Sequence, residues 1–454
     1  MSAPVTVMKF GGTSLEDSQA FQRVANIVES NLNANLVVVV SAMSGVTDAL
    51  INSFDRTARG EISEALRSLE HHFERHLKVA GPFGADASDR MKARIDASRR
   101  EIVELLNQVS ASQTTSAKAQ DEIASQGERL SASLLTIVLE QYGLPASYVD
   151  ARRCIVTDEQ HGSAKPILEE TWRQTRVELQ PLIESKRVPV LGGFIAASRN
   201  RVTTTLGRGS SDYSATLFSA ALGARETQIW TDVDGVMTAD PNLVNEAKTV
   251  PQISYDEAAE LARLGAKVLH SRMIQPVNEL EIPIRILNSR FPERSGTLIC
   301  SGTQTPNIAV KAIACKTRQA RIDITSTPAF VANGFLRAIE DIFDRHRIGM
   351  QIVAKSEVGA SFICEDAEAP PALVHDLGEV GSVKTSAQHA TVSCVGEGLK
   401  ETAGNLRQVL RAIDPAVTWY STSSISLVSL VNPERVRPLV RQIHQCLFPS
   451  EPRA

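Results

Sequence analysis

Val5-Thr6-Val7-Met8-Lys9-Phe10 is a short β-rich run that stops at Gly11-Gly12-Thr13-Ser14. A helical pattern follows, with Phe21, Val24, Ile27 and Val28 on one face, and then the aliphatic run Leu36-Val37-Val38-Val39-Val40. Short buried aliphatic runs separated by amphipathic helices predict a parallel sheet covered on both faces, an α/β fold. The alternation returns at Val188-Pro189-Val190-Leu191, at Thr227-Gln228-Ile229-Trp230 and at Ile282-Pro283-Ile284-Arg285-Ile286.

Two regions depart from this rhythm. Residues from about 48 to 140 carry charges spaced for helix faces and almost no strand signal, which predicts a mostly helical insertion. A cover that moves over a site and a structural brace are both open readings of it. From roughly residue 310 the pattern becomes strand-helix-strand-strand. Gly334-Phe335-Leu336-Arg337-Ala338-Ile339 recurs as Gly404-Asn405-Leu406-Arg407-Gln408-Val409, each followed by a strand and a Ser-containing turn, Ser356-Glu357-Val358 and Ser423-Ser424-Ile425. Two copies of one small α+β module are expected, with the break from the first domain near Pro306.

Composition excludes several classes of function. The chain has 454 residues, long enough for more than one domain, and 48 Lys+Arg against 52 Asp+Glu give a net charge of only −4. No nucleic-acid footprint is present. Its longest aliphatic run is too short to cross a bilayer, and the start lacks the pattern of a signal peptide, so a cytoplasmic protein without membrane contact is expected. The six cysteines include no CxxC pair and no His at ligand spacing, so neither a disulfide framework nor a zinc site is expected.

Four Gly/Ser/Thr-rich turns follow strand candidates: Lys9 to Ser14, Ser41 to Thr47, Leu191 to Phe194, and Thr203 to Asp212. In open α/β sheets ligands gather at the carboxyl ends of strands, and glycine lets backbone N–H groups approach an anion. With the cations Lys9 and Arg208 these turns suit phosphate binding. No Gly-Lys dipeptide makes a Walker loop, and Gly207-Arg208-Gly209 meets Asp212 where the dinucleotide fingerprint needs a third glycine. What remains fits phosphoryl transfer by positioning and charge, with Lys9 stabilising the transferring group. Asp212, Asp232 and Glu128 are the nearest acids; each reads equally as a helix-start residue, Glu128 as the opening of Gly127-Glu128-Arg129-Leu130-Ser131. His270 reads as structural.

In this order, Lys9–Ser14, Gly127–Ser131, Thr203–Ala215, Trp230-Thr231-Asp232-Val233-Asp234-Gly235 and Gly265–His270 resemble the aspartate kinases, and the region after 310 resembles their paired ACT regulatory domains. The likeness spans essentially the whole chain. It implies an amino-acid-kinase α/β sandwich at 1–305 with its helical insertion, followed by ferredoxin-like ACT domains at 306–385 and 386–454. The implied reaction moves the ATP γ-phosphoryl group, with Mg2+, onto the β-carboxylate of L-aspartate. A carboxylate nucleophile is already ionised near neutral pH, so no general base is required.

The resemblance also implies roles. Lys9 and Asp212 are catalytic. Ser41, Thr47, Glu128, Arg208, Gly209 and Ser211 hold aspartate, with Glu128 near its ammonium and Arg208 on its α-carboxylate. Gly11, Gly12, Ser14, Thr231, Asp232, Lys267 and Val268 hold ATP. Met350, Gln351, Ser356 and Glu357 form the effector loop, with lysine or threonine as the amino-acid effector, and a homodimer forms through the ACT domains. Ser210, Met237, Asn242 and Ser271 depart from the family pattern on the nucleotide side. Two rival readings are another enzyme of the same fold and a catalytically degenerate amino-acid sensor.

Overall fold

The computed structural model describes residues 4–112, 115–207, 209–266, 268, 270–302, 310–326, 334–346, 348–356, 359–364, 368–415, 417 and 419–449. They form two compact units: Met1–Gly235 with Pro251–Tyr255 and His270–Gly302, and Val236–Val250 with Asp256–Leu269 and Thr303–Ala454.

The first unit holds strands β1 (Val5–Phe10), β2 (Asn35–Val40), β3 (Ala146–Val149), β4 (Val156–Thr157), β5 (Val188–Gly192), β6 (Ile195–Ser198), β7 (Thr203–Thr205), β8 (Glu226–Thr231), β9 (Gln252–Ser254), β10 (Ile284–Asn288) and β11 (Thr297–Cys300). Eight of them make one sheet in the order β3-β5-β2-β1-β8-β10-β11-β9, while β4-β6-β7 form a small second sheet. From β3 to β10 every pairing is parallel, as the buried aliphatic runs predict. All six residues of β2 are buried.

Helix α1 (Ser18–Ser30) starts where the Asp17 carboxylate accepts the Ala20 N–H at 2.8 Å, and it buries Phe21, Val24, Ile27 and Val28. The expected insertion is α2 (Val46–Ala58), α3 (Ile62–Ala80), α4 (Ala85–Ser112) and α5 (Ala117–Gln141). Leu69 and Phe73 of α3 and Met91, Ile95, Ile102 and Leu106 of α4 share one core cluster with Val38 and Val40 of the sheet. Burying each such side chain contributes roughly 1.5–3 kcal/mol, so these helices brace the sandwich. Helix α5 is buried almost without a break from Asp121 to Leu139 and is itself a layer of the fold. Helices α6 (Leu168–Glu184) and α7 (Ser211–Leu222) complete the cover.

In the second unit, helix α8 (Tyr255–Arg263) precedes a six-stranded sheet of β12 (Ala312–Ser326), β13 (Met350–Lys355), β14 (Gly359–Cys364), β15 (Gly381–Val395), β16 (Trp419–Ser423) and β17 (Ser426–Val431), in the order β13-β14-β12-β15-β17-β16. It carries two hydrophobic cores. One collects Ile322, Ile324, Ile339, Phe343 and Phe362; the other collects Val310, Ile313, Val392, Leu410, Leu427 and Val440.

This arrangement corrects the expected division into consecutive modules at 306–385 and 386–454. Strands β12 and β15 run antiparallel through both cores, with register shifts between Lys316 and Arg321. One module is therefore nested inside the other, and the expected 385/386 boundary falls within β15. Residues 236–250 and 256–269, expected in the first domain, pack with the second unit. Thr238 Oγ1 lies 2.9 Å from His444 Nε2, and Glu260 accepts the hydroxyls of Ser423 at 2.9 Å and Ser426 at 2.5 Å. The expected break near Pro306 lies outside the described residues.

Candidate active site

Lys9 is the penultimate residue of β1, where the strand meets the diglycine turn. Its Nζ stands 2.6 Å from Oδ1 of Asp212, in the first turn of α7. The N-cap of that helix is Ser210, whose side chain makes no cap bond. Asp212 therefore faces a lysine, and the helix-start reading of this acid gives way to an ion pair. The Gly11 N–H donates to Trp230 O at 3.0 Å, joining the ends of β1 and β8.

Glu128 lies in the middle of α5, far from its N-cap at Ser116, which corrects the expectation that it opens a helix. Glycine permits its placement. A Cβ on Gly127 would meet Ala42 Cβ at 2.9 Å, and one on Gly192 would meet Glu128 Cβ at 2.8 Å. The helix thus sits hard against the end of β5. Burial pushes the Glu128 carboxyl up to about 8, while the Ala42 N–H and the Thr47 hydroxyl pull the other way. Its Oε1 accepts from Ala42 N at 3.3 Å; Oε2 is buried without a hydrogen-bond partner. A cleft of about 300 Å³ opens beside it, lined by Ser41, Thr47, Gly209 and Ser211 among others.

One recess therefore gathers a buried carboxyl and two hydroxyl-bearing turns next to a lysine–aspartate pair. The amino acid kinase family model matches residues 4–288. The lysine-sensitive aspartokinase 3 of Escherichia coli is 32% identical over 98% of this chain and 99% of its own. The chain belongs to the aspartokinases. The solved structure of E. coli aspartokinase III in complex with aspartate and ADP (R-state) matches with a TM-score of 0.86 and 30% identity, covering 98% of this chain and all of that one. The same enzyme in complex with lysine and aspartate (T-state) gives 0.80 at 30% identity, over 98% and 99%. The chain is thus an ATP-using aspartate kinase with the amino-acid-kinase fold.

In this aspartokinase Ser14 is buried with its Oγ 2.7 Å from Ser289 Oγ, and Ser289 N donates to Thr231 O at 2.8 Å. Ser14 and Thr231 are so brought together at the end of β8. The Thr231 hydroxyl donates to Asp232, which is exposed. Gly12 is packed so that a Cβ would meet Ala42 O at 2.8 Å. Val268 is half-buried in the second unit. Met350 opens β13 with Gln351 next along it, and exposed Ser356 follows the strand, its hydroxyl donating to Gly359 O at 3.1 Å. Arg208, Lys267 and Glu357 lie outside the described residues. His270 Nδ1 accepts the Arg272 N–H at 3.3 Å, and its ring sits against Gly209, which suits the structural role expected of it. Burial and then Arg272 lower its pKa, with Asp212 opposing.

Two site residues were not foreseen. Phe194 lines the cleft with a left-handed backbone, φ 64°, directly after Gly192-Gly193; the turn was legible but the conformation was not. Asp121, two helical turns before Glu128, accepts Thr205 Oγ1 at 2.5 Å and the Gly162 N–H at 3.1 Å, and contacts His161 Nδ1 at 2.8 Å. It anchors the strand that leads into Gly207–Ser211, and nothing in its sequence context sets it apart from a surface acid.

Proposed function

We propose that this aspartate kinase binds L-aspartate in the Glu128 cleft, with its ammonium on Glu128 and its β-carboxylate toward Lys9. The supporting observation is Glu128 itself: a fully buried carboxyl with one oxygen unpartnered beside a cleft of amino-acid size. An ammonium arriving there would offset the desolvation that otherwise keeps this carboxyl protonated. Arg208 is assigned the α-carboxylate, and Ser41, Thr47, Gly209 and Ser211 the cleft wall. A β-carboxylate oxygen attacks the γ-phosphorus of ATP, the bond to the β,γ-bridging oxygen breaks, and ADP leaves with the electron pair. Lys9 meets the charge that spreads over the transferring oxygens, held in line by Asp212. Gly11, Gly12, Ser14, Thr231 and Asp232 are assigned to the nucleotide. Magnesium is read as entering on the ATP phosphates. Among the described residues no three His, Cys, Asp or Glu side chains converge as a metal cage.

The second unit, with its nested α+β modules, is assigned to feedback control by lysine or threonine at Met350, Gln351, Ser356 and Glu357, and to a homodimer. The lysine-sensitive relative supports lysine. Six cysteines without a disulfide suit the cytoplasm. Trapping the acyl phosphate with hydroxylamine tests the reaction. Aspartate-dependent hydroxamate is expected; its absence, with calorimetric binding of an amino acid, would make the protein a sensor. Lysine and threonine titrated singly into that assay identify the effector.

A further inference from the structure

Arg75 of α3 spans two turns of the site. Its Nη1 donates to Ser44 O at 2.6 Å, while Nη2 and Nε both donate to Glu16 O, at 2.9 and 3.2 Å. Ser44 belongs to the Ser41–Thr47 turn that lines the aspartate cleft. Glu16 follows the short Gly12–Leu15 helical turn that continues from Lys9 and the diglycine. One guanidinium thus ties the phosphoryl side of the site to the aspartate side.

The two turns touch a second time at Gly12, where a Cβ would lie 2.8 Å from Ala42 O and 3.4 Å from Ser44 N. Glycine permits that approach but cannot maintain it. Arg75 supplies the tie, because its planar fork reaches both carbonyls from one rigid group. The helix that carries it is anchored in the core through Leu69, Phe73 and Val79. A fixed group on a fixed helix can hold a distance between two loops.

We propose that Arg75 is a positioning residue for the phosphoryl transfer, setting the separation between the Lys9 turn and the Ser41–Thr47 turn. The inference rests on the aspartate-kinase reading of the cleft. It gives the helical insertion a duty in the reaction besides packing. Transfer by positioning is sensitive to such a distance, since a displacement near 1 Å costs on the order of a hundredfold in rate.

The test compares wild type, Arg75→Ala and Arg75→Lys by hydroxamate formation at saturating ATP and aspartate, with melting followed in parallel. For Arg75→Ala, kcat should fall about ten- to a hundredfold while the melting temperature stays near wild type, and ethylguanidine, unlike ethylamine, should restore turnover. Arg75→Lys should stay slow, because an ammonium cannot hold both carbonyls in one plane. Wild-type kcat in both variants overturns the proposal, as does a loss that ethylguanidine leaves unchanged. If Arg75→Ala does not fold, a natively melting Arg75→Lys decides: slowed turnover supports the proposal and full turnover overturns it. A wild-type protein that makes no hydroxamate removes the function itself, and the proposal with it.

Discussion

The start of α7 and the middle of α5 each bring one carboxylate to the carboxyl ends of the central strands, in opposite electrostatic settings. Asp212 arrives with its counter-ion, since Lys9 stands 2.6 Å away and both side chains retain some exposure. Among the described residues Glu128 arrives with none. The partners described for it, the Ala42 N–H and the Thr47 hydroxyl, are neutral, and burial pushes its carboxyl up to about 8. A paired acid is a fixed part of the scaffold that aims a lysine. An unpaired buried acid is a vacancy for a cation, which in this reaction is the substrate's ammonium. The difference lies in surroundings rather than residue type, so substitutions on each side should fail in different ways.

The largest effect is expected from Lys9→Ala. Removing the group that meets the developing phosphoryl charge should cut kcat by about a hundred- to a thousandfold, with little change in the aspartate KM. A change confined to KM would place Lys9 on the binding side of the comparison. Glu128→Gln should do the converse, raising the aspartate KM about a hundredfold, as expected when one partner of a buried charge pair is truncated.

The pH dependence sharpens the same contrast. Aspartate's ammonium prefers the ionised carboxylate, so wild-type affinity should improve as pH rises toward about 8 and level off above it. In Glu128→Gln this slope should vanish; an unchanged slope would take the titration away from Glu128. Folding stability runs the other way. Between the ordinary carboxyl value and about 8 the unfolded chain is ionised while the folded one keeps its proton, so stability should fall with rising pH. Urea titrations of wild type and Glu128→Gln at pH 5 and 8 read this as a difference, since histidines such as His76 act alike in both: wild type should lose stability relative to the variant.

The smallest effect is expected at Gly192→Ala. Its new methyl would meet Glu128 Cβ at 2.8 Å, so overpacking should cost about 1–3 kcal/mol of stability and raise the aspartate KM, with kcat nearly unchanged. A variant as stable as wild type would show that the contact between α5 and the end of β5 relaxes freely.

Much of the first unit was legible because its signals are local. Apolar runs at Val5–Phe10, Leu36–Val40 and Val188–Leu191 are strands in the structure, and the helices predicted between 48 and 140 are there. Thr47, Glu128, Gly209 and Ser211 stood in recognisable turns and segments, and they line one cleft, while Lys9 pairs with Asp212. The position of Glu128 within its helix was misread, because a glycine inside a helical pattern looks like a start; its packing against Ala42 is a long-range fact. The nested modules were misread for the same reason. Strands β12 and β15 pair across some seventy residues, and no local pattern announces which half of a long strand joins which core. Asp121 and Arg75 were invisible, since an acid and an arginine on charged helices look like solvated faces.

The amino-acid sequence by itself determined the parallel sheet, the glycine turns, the helical segment and the family, because periodicity and motifs are written in neighbouring residues. Only the tertiary structure decided which acid carries a counter-ion and which waits for one, which helix serves as a layer, and which arginine ties two turns. Those properties depend on desolvation and on distances between residues far apart in the chain, and both exist only after the chain has closed on itself.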